Sequence, residues 1–396
     1  MDITFLIHHI SRGGGTASQA LELARKMQDM GHNISIITTK PKMSSMELSA
    51  YGLDFHYGSK YSLAYYPPLA YVFLLKKLLA QEKMKRSNII QCFNPVFSGT
   101  VCAFLPRTFE RSCVLRLGAD YLQFYMDKMI KYPSWMREII SSILGMTIQN
   151  SFRKASAIVA NCDYLKELYA KEIGSKPVFT IRNGVDTSIF YPRETTTLRK
   201  RLNLDGKKII LYVGRIEWRK GVDRILFALN DVKREYRDFI LLLVGSTNIS
   251  KSFYISIKKM IDNFEICQNV MFTGSVPHNL LPDYYSLAEL VVFPSRSTKK
   301  YRVTDGLPNI ILESMACAKT VLAANVCGVP EVISDGRTGF LYDPNNQKEL
   351  SEKILSIIAD EEERQKMGEN ARQYILEHHN LTNVVKKYIE TYHKVL

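Results

Sequence analysis

Apolar and polar positions along the chain repeat one order of elements twice. Residues Ile3 to Ile10 form an apolar run that reads as a strand, and Ser11-Arg12-Gly13-Gly14-Gly15-Thr16 breaks it. From Ala17 to Met30 the apolar positions Ala20, Leu23, Ala24 and Met27 keep a helical period. Gly31 ends that helix before a second strand, Asn33 to Thr38. Strand, glycine loop, helix and strand in that order open a doubly wound sheet. The order returns later: a strand from Lys208 to Val213, a turn at Gly214-Arg215, a helix from about Val222, and a strand from Phe239 to Val244 ending in Gly245. Two such units argue for two similar α/β halves facing each other.

Between them lie a strand at Ala157 to Ala160, a helix, and Val178 to Ile181 running into RNGVDTSIFYP. That run is a turn cluster followed by polar residues up to about Leu204, which predicts a hinge. A second apolar run, Leu290 to Phe293, breaks at Pro294-Ser295 into a polar loop that ends at Asp305-Gly306-Leu307-Pro308. Proline suits a first helical turn, so a helix is expected from Asn309 to about Ala318.

The free NH groups at such a helix start suit a phosphate. Asp305 lies just outside it and Glu313 inside it, and a carboxylate can accept two hydrogen bonds from a vicinal diol. An ordinary amphipathic helix with a solvated Glu stands beside that reading. Arg215 and Lys220 flank the end of a strand where ligands collect, and they suit a diphosphate or are two solvated surface cations. GGGTAS lets backbone approach a ligand or merely turns the chain. It is not GxGxxG, so a dinucleotide site and an oxidoreductase are disfavoured.

A chain of 396 residues, 46% hydrophobic and 23% charged, is long enough for two globular domains. No apolar run is long enough to span a bilayer, and the N-terminus reads as a strand rather than a signal peptide. Seven cysteines (92, 102, 113, 162, 267, 317 and 327) form no CxxC pair and argue for free thiols in a reducing compartment. No Asp-x-Asp or His/acid cluster is present, so no metal is expected. The net charge is +14, and residues 1–190 hold 23 Lys+Arg against 14 Asp+Glu. Such a surface can attract nucleic acid, anionic lipid or a phosphorylated substrate. Residues 60–86 combine aromatics, an apolar face and a basic end, and fit either a membrane surface or a helix packed on the sheet. Residues 121–154 repeat the theme with Tyr121, Phe124, Tyr125, Lys128, Lys131, Trp135 and Arg137, and either segment could form an acceptor surface. Neither interleaves basic and aromatic residues well enough to expect a nucleic-acid partner.

DGLPNIILESMACAKTVLA resembles the signature of the retaining glycosyltransferases of family 4, the glycosyl transferases group 1, with Asp305 where Glu is often found. GVPEVISDGRTGFLYDP looks like its continuation, GRIEWRKG resembles the family's GR-x4-KG, and RNGVDTSIFYP resembles its passage between domains. CVLRLGAD matches a place where many members carry His or Arg, here Leu117.

The resemblance implies the GT-B architecture, two Rossmann-like doubly wound domains facing across a cleft. The acceptor domain would be residues 1–190, joined by a C-terminal helix, about 380–396, that crosses back. The donor domain would be residues 191–380. It implies retaining transfer of a hexosyl or N-acetylhexosaminyl group from a nucleotide-diphosphate sugar to a hydroxyl of a saccharide, lipid-linked or glycolipid acceptor. In that scheme Arg215 and Lys220 hold the leaving diphosphate, Glu313 the ribose hydroxyls, and Asp305 orients the sugar. Gly14 and Gly15 face the diphosphate. Gly214, Gly306, Leu307, Pro308, Asn309 and Ile310 line the donor, and Gly274 and Val276 hold the base through backbone. Arg116 and Asp120 are candidates for sugar or acceptor contacts, while Glu217 and Trp218 receive no role. No cofactor is implied beyond the donor, with a UDP-sugar expected ahead of a GDP-sugar. The expected location is cytoplasmic, peripheral on the inner face of the cell membrane, at an anionic surface. A GT-B epimerase or phosphorylase, or a weakly active GT-B adaptor, are the other classes that share the architecture.

Overall fold

The structure, a computed structural model, describes residues 1–8, 10, 15–39, 48–49, 51–59, 86–103, 112–129, 132–248, 250–296 and 305–396. The chain divides into two compact units. Met1–Gly184, Thr304–Leu307 and Leu381–Leu396 form the first, and Val185–Val303 with Pro308–Asn380 the second. Asp305, Gly306 and Leu307, expected with the second domain, therefore cluster with the first.

The first unit holds a seven-stranded parallel sheet of β1 (Asp2–Ile7), β2 (Asn33–Thr39), β3 (Asp54–Ser59), β4 (Ile89–Cys92), β5 (Ser112–Leu117), β6 (Ala157–Ala160) and β7 (Val178–Thr180). The order across the sheet is β3-β2-β1-β4-β5-β6-β7. The direction of progression reverses between β1 and β4, which is the switch point of a doubly wound sheet. The inner strands β1, β4, β5 and β6 are buried almost throughout, as expected of a parallel sheet with both faces covered. The expected positions Ala20, Leu23, Ala24 and Met27 are the buried face of the helix Gly15–Asp29, and they pack with Leu381, Val384, Val385, Tyr388 and Tyr392 of the C-terminal helix Leu381–Val395. That docking is tight. A Cβ on Gly184 would stand 3.0 Å from the Leu381 Cα, and the Tyr392 hydroxyl donates to Gln91 Oε1 at 2.8 Å.

The second unit holds a six-stranded parallel sheet of β8 (Lys208–Val213), β9 (Phe239–Val244), β10 (Val270–Gly274), β11 (Leu290–Phe293), β12 (Val321–Ala324) and β13 (Phe340–Tyr342). Its order, β10-β9-β8-β11-β12-β13, repeats the first sheet's winding. Every residue of β9 is buried, and the helix Val222–Glu235 presents Val222, Ile225, Leu226, Leu229 and Val232 to the core.

Three expectations change. The polar stretch after Pro192 is not a plain linker: it contains the helix Thr196–Arg201, whose Arg199 donates to the Leu204 and Lys207 carbonyls at 3.0 and 2.8 Å and pairs with Glu289 at 3.1 Å. The helix expected to reach Ala318 ends at Ala316, because Ala318 adopts φ +56° and the Lys319 NH turns back to the Ser314 carbonyl at 3.1 Å, a Schellman-type stop. Cys113, expected as a free thiol, is disulfide-bonded, while Cys92, Cys162, Cys267, Cys317 and Cys327 are free. Pairing depends on the separation of Cα atoms in space, which sequence spacing does not carry.

Candidate functional site

In the second unit the sheet reverses between β8 and β11, so the C-terminal ends of these two strands open the crevice where such sheets take ligands. Both ends carry the expected chemistry. After β8 the chain turns through Gly214 and Arg215, passes a short 3₁₀ turn, Trp218–Lys220, and enters the helix Val222–Glu235 at Gly221. Gly221 has φ +73°, and a Cβ there would lie 2.0 Å from the Pro294 carbonyl oxygen just beyond β11. Only glycine lets the two strand ends close on each other in this way. The Lys220 ammonium ends 5.9 Å from the centre of the Phe293 ring.

Residues between these cations brace them. Glu217, 8% exposed, pairs with Arg215 at 3.0 Å and with Arg219 at 3.5 Å. Trp218 lies under the guanidinium of Arg296, 4.6 Å from its ring centre. Arg296 in turn donates to the Trp218 carbonyl at 2.6 Å and grips both oxygens of Asp223 in the first turn of the following helix. Glu217 and Trp218, given no role from the sequence, thus fix the loop that carries Arg215 and Lys220.

Pro308 caps the helix Asn309–Ala316 with extended backbone and no side-chain hydrogen bond, so Asn309 and Ile310 form its first turn. Glu313 sits one turn further and is 6% exposed. Its Oε2 accepts from the Tyr285 hydroxyl at 2.8 Å and its Oε1 lies 3.2 Å from His278 Nε2. A carboxylate has about four lone-pair sites, so two partners leave room for a diol. Burial, then the neighbouring Glu313 charge, pushes the Tyr285 hydroxyl well above its ordinary range, and the same two causes raise the Cys317 thiol to about 12. Both therefore stay neutral beside a carboxylate, and the Tyr285 hydroxyl donates to it. Gly274 ends β10 at φ +72°, its carbonyl accepting from the Gly245 NH at 2.8 Å, and Val276 follows half-buried.

Within the first unit, Asp305 bridges to Ala119 and the Gly306 NH donates to the Gly118 carbonyl at 3.3 Å. A Cβ on Gly306 would meet Asn161 Oδ1 at 2.3 Å, so this glycine is needed for the approach. Asn183 donates to the Leu307 carbonyl at 3.0 Å and accepts from Arg116. Arg116 and Asp120 are both buried. Arg116 also lies over Phe93 at 5.5 Å, and Asp120 caps the helix Tyr121–Lys128 at the Gln123 NH and accepts from the Tyr169 hydroxyl at 2.9 Å. Leu117 is wholly buried at the end of β5. Gly15 begins the first helix, while Gly14, residues 60–85 and Lys131 lie outside the described residues. Among the described residues no group of three His, Cys, Asp or Glu side chains could hold a metal ion.

The family model described as Glycosyl transferases group 1 matches residues 194–374, and that described as Glycosyltransferase Family 4 matches residues 13–189. The chain belongs to the group 1 glycosyltransferases. It is 22% identical over 397 residues to the N-acetyl-alpha-D-glucosaminyl L-malate synthase of Bacillus anthracis, covering 97% of this chain and 94% of that one. In fold it is similar to the Anabaena protein HepE crystallised with UDP, with a TM-score of 0.79, 19% identity and all of both chains covered. It is likewise similar to sucrose-phosphate synthase of Thermosynechococcus elongatus, with a TM-score of 0.81, 22% identity, and 99% and 98% of the chains covered. The fold is GT-B.

Three side chains around the second unit's crevice escape this glycosyltransferase's sequence motifs. Tyr285 and His278 reach Glu313 from 28 and 35 residues away, and Arg296 braces the Lys220 loop from 76 away. Pairing Tyr285 with an acid could have been suspected from the helical face it shares with Pro282 and Leu281, because a tyrosine buried there needs a partner for its hydroxyl.

Proposed function

We propose that this glycosyltransferase moves a hexosyl or N-acetylhexosaminyl group, with retention at the anomeric carbon, from a nucleotide-diphosphate sugar to a hydroxyl of a saccharide, lipid-linked or glycolipid acceptor. The observation that carries the reading is the meeting of the Arg215–Lys220 loop with Pro294 at the switch point of the second sheet. Two cations held at that crevice match the charge that develops on a departing diphosphate. Loss of one such preorganised group costs about 3 to 4 kcal/mol of transition-state stabilisation.

In this reading Glu313, steadied by Tyr285 and His278, accepts the ribose hydroxyls. Gly214 and the first turn from Pro308 to Ile310 line the donor. Gly274 and Val276 meet the base through backbone groups. The UDP bound by the Anabaena relative supports uridine as the base. With Arg215 and Lys220 meeting the leaving charge, turnover is expected to survive EDTA. The basic first half and the acceptor class favour a cytoplasmic enzyme peripheral on the inner face of the membrane.

The test is product analysis. Purified protein is given UDP- and GDP-sugars with a panel of acceptors, and the product anomer is read by NMR. An α-glycoside from an α-linked donor supports the reading, an inverted product overturns the stereochemistry, and a free epimerised sugar overturns the reaction class. One observation favours a weakly active adaptor instead: wholly buried Leu117 offers no hydrogen-bond donor at the position where the resembled family carries His or Arg. Nucleotide binding without turnover of any donor and acceptor pair would favour it.

A further inference from the structure

The helix Ser134–Lys154 is apolar on two sides. One face packs into the first unit through Leu144, Ile148 and Phe152. The other carries Trp135, Ile139, Ile143 and Met146, which are 60%, 53%, 43% and 61% exposed. Their spacing of four, four and three puts them in one line along about three turns. Helices that are apolar all round are normally covered all round. No described element covers this line, which forms an exposed apolar patch on the order of 400 Å².

Two features say what covers it. The line runs on into Asn150, Arg153 and Lys154, with Arg153 donating to Asn150 at 3.0 Å, so its C-terminal end is basic. The whole chain carries +14, and residues 126–154 hold five Lys+Arg against two Asp+Glu. A second copy would bring like charge, and the patch is about half of the roughly 800 Å² per partner that a stable dimer buries. No described helix is long and apolar enough to cross a membrane. An apolar ridge ending in bases instead suits a helix lying in the plane of a bilayer, with ring and aliphatic groups among the acyl chains and bases at the phosphates.

We propose that this face docks the protein on an anionic lipid surface. The proposal rests on the peripheral placement above but not on the donor site, so UDP binding and vesicle binding can fail separately.

The chain has two tryptophans, so Trp218→Phe leaves Trp135 as the sole emitter. That variant is mixed with vesicles of phosphatidylglycerol and brominated phosphatidylcholine. Trp135 emission is expected to shift to the blue and be quenched, and binding to weaken in high salt. The double variant Ile139→Glu/Ile143→Glu, checked for a native circular dichroism spectrum, is expected to bind at least about tenfold more weakly, and Arg153→Gln or Lys154→Gln about fivefold. Vesicle binding without quenching of Trp135, equal binding to purely phosphatidylcholine vesicles, or no binding would overturn the proposal. So would a dimer in sedimentation equilibrium that the Ile139→Glu/Ile143→Glu variant dissociates.

Discussion

A Cβ on Gly221 would stand 2.0 Å from the carbonyl oxygen of Pro294, so the turn that carries Lys220 and the end of β11 meet through backbone alone. The contact sets where the Lys220 ammonium can reach. Gly221→Ala must overcome both this clash and a left-handed φ of +73°, which together cost on the order of 3 kcal/mol or more. Thermal unfolding and turnover together check it. The variant should lose several degrees of Tm and most activity, whereas wild-type values in both would mean that the loop is free to sit elsewhere.

Tyr285→Phe removes the buried donor to Glu313 Oε2 without changing the side chain's volume much. An acceptor left without its partner at such a site costs about 1 to 3 kcal/mol, some of which appears as misplacement of the carboxylate. Titration calorimetry should show UDP bound about fivefold to tenfold more weakly. The loss for His278→Asn should be smaller, since that imidazole is 35% exposed and water can replace it.

Ala318 is a non-glycine residue at φ +56°, the stop after the helix that bears Glu313. Ala318→Gly relieves about 1 kcal/mol of backbone strain, partly offset by the greater freedom of the unfolded chain. A rise of about 1 to 3 °C in Tm with unchanged UDP affinity is the expected result. A fall in Tm would show that the strain is already relaxed.

Lys319 has its pKa lowered from 10.5, chiefly by burial. Its folded value lies below its unfolded one, so the cost of burying the charge is present in full below the folded value. That cost is relieved as pH rises through the folded value towards the unfolded one. Lys319→Met should therefore raise stability at pH 7, and its advantage over the wild type should shrink as the pH approaches 10. Urea unfolding at both pH values decides, and an advantage that grows with pH would contradict the assignment.

Much of the fold could be read from local pattern. β8 and β9 match the expected strands residue for residue, because each is an unbroken apolar run between charged residues or glycines. The cations at the end of β8 and the acid in the helix Asn309–Ala316 were visible for the same reason, since each lies a fixed few residues from an element boundary. What was not legible depends on contacts between distant segments. Glu313 could be named, but Tyr285, which holds it, is set by the packing of two helices. Asp305 could be named too, yet its bridge to Ala119 and the Asn183 clasp on Leu307 join segments more than 100 residues apart. Arg116 and Asp120 read as polar groups at a strand end. Whether they face a ligand or a cap depends on Asn183 and Tyr169, which no spacing rule relates to them.

On the proposed reading, Arg215 and Lys220 hold the donor diphosphate where β8 and β11 end. UDP titrated in EDTA into the wild type and into Lys220→Ala, each first shown to unfold at the same temperature without ligand, tests it most directly. Saturable binding to the wild type and at least about tenfold weaker binding to the variant are expected, in line with loss of a charged contact of about 1.5 to 3 kcal/mol. Equal affinity in the two proteins would contradict it.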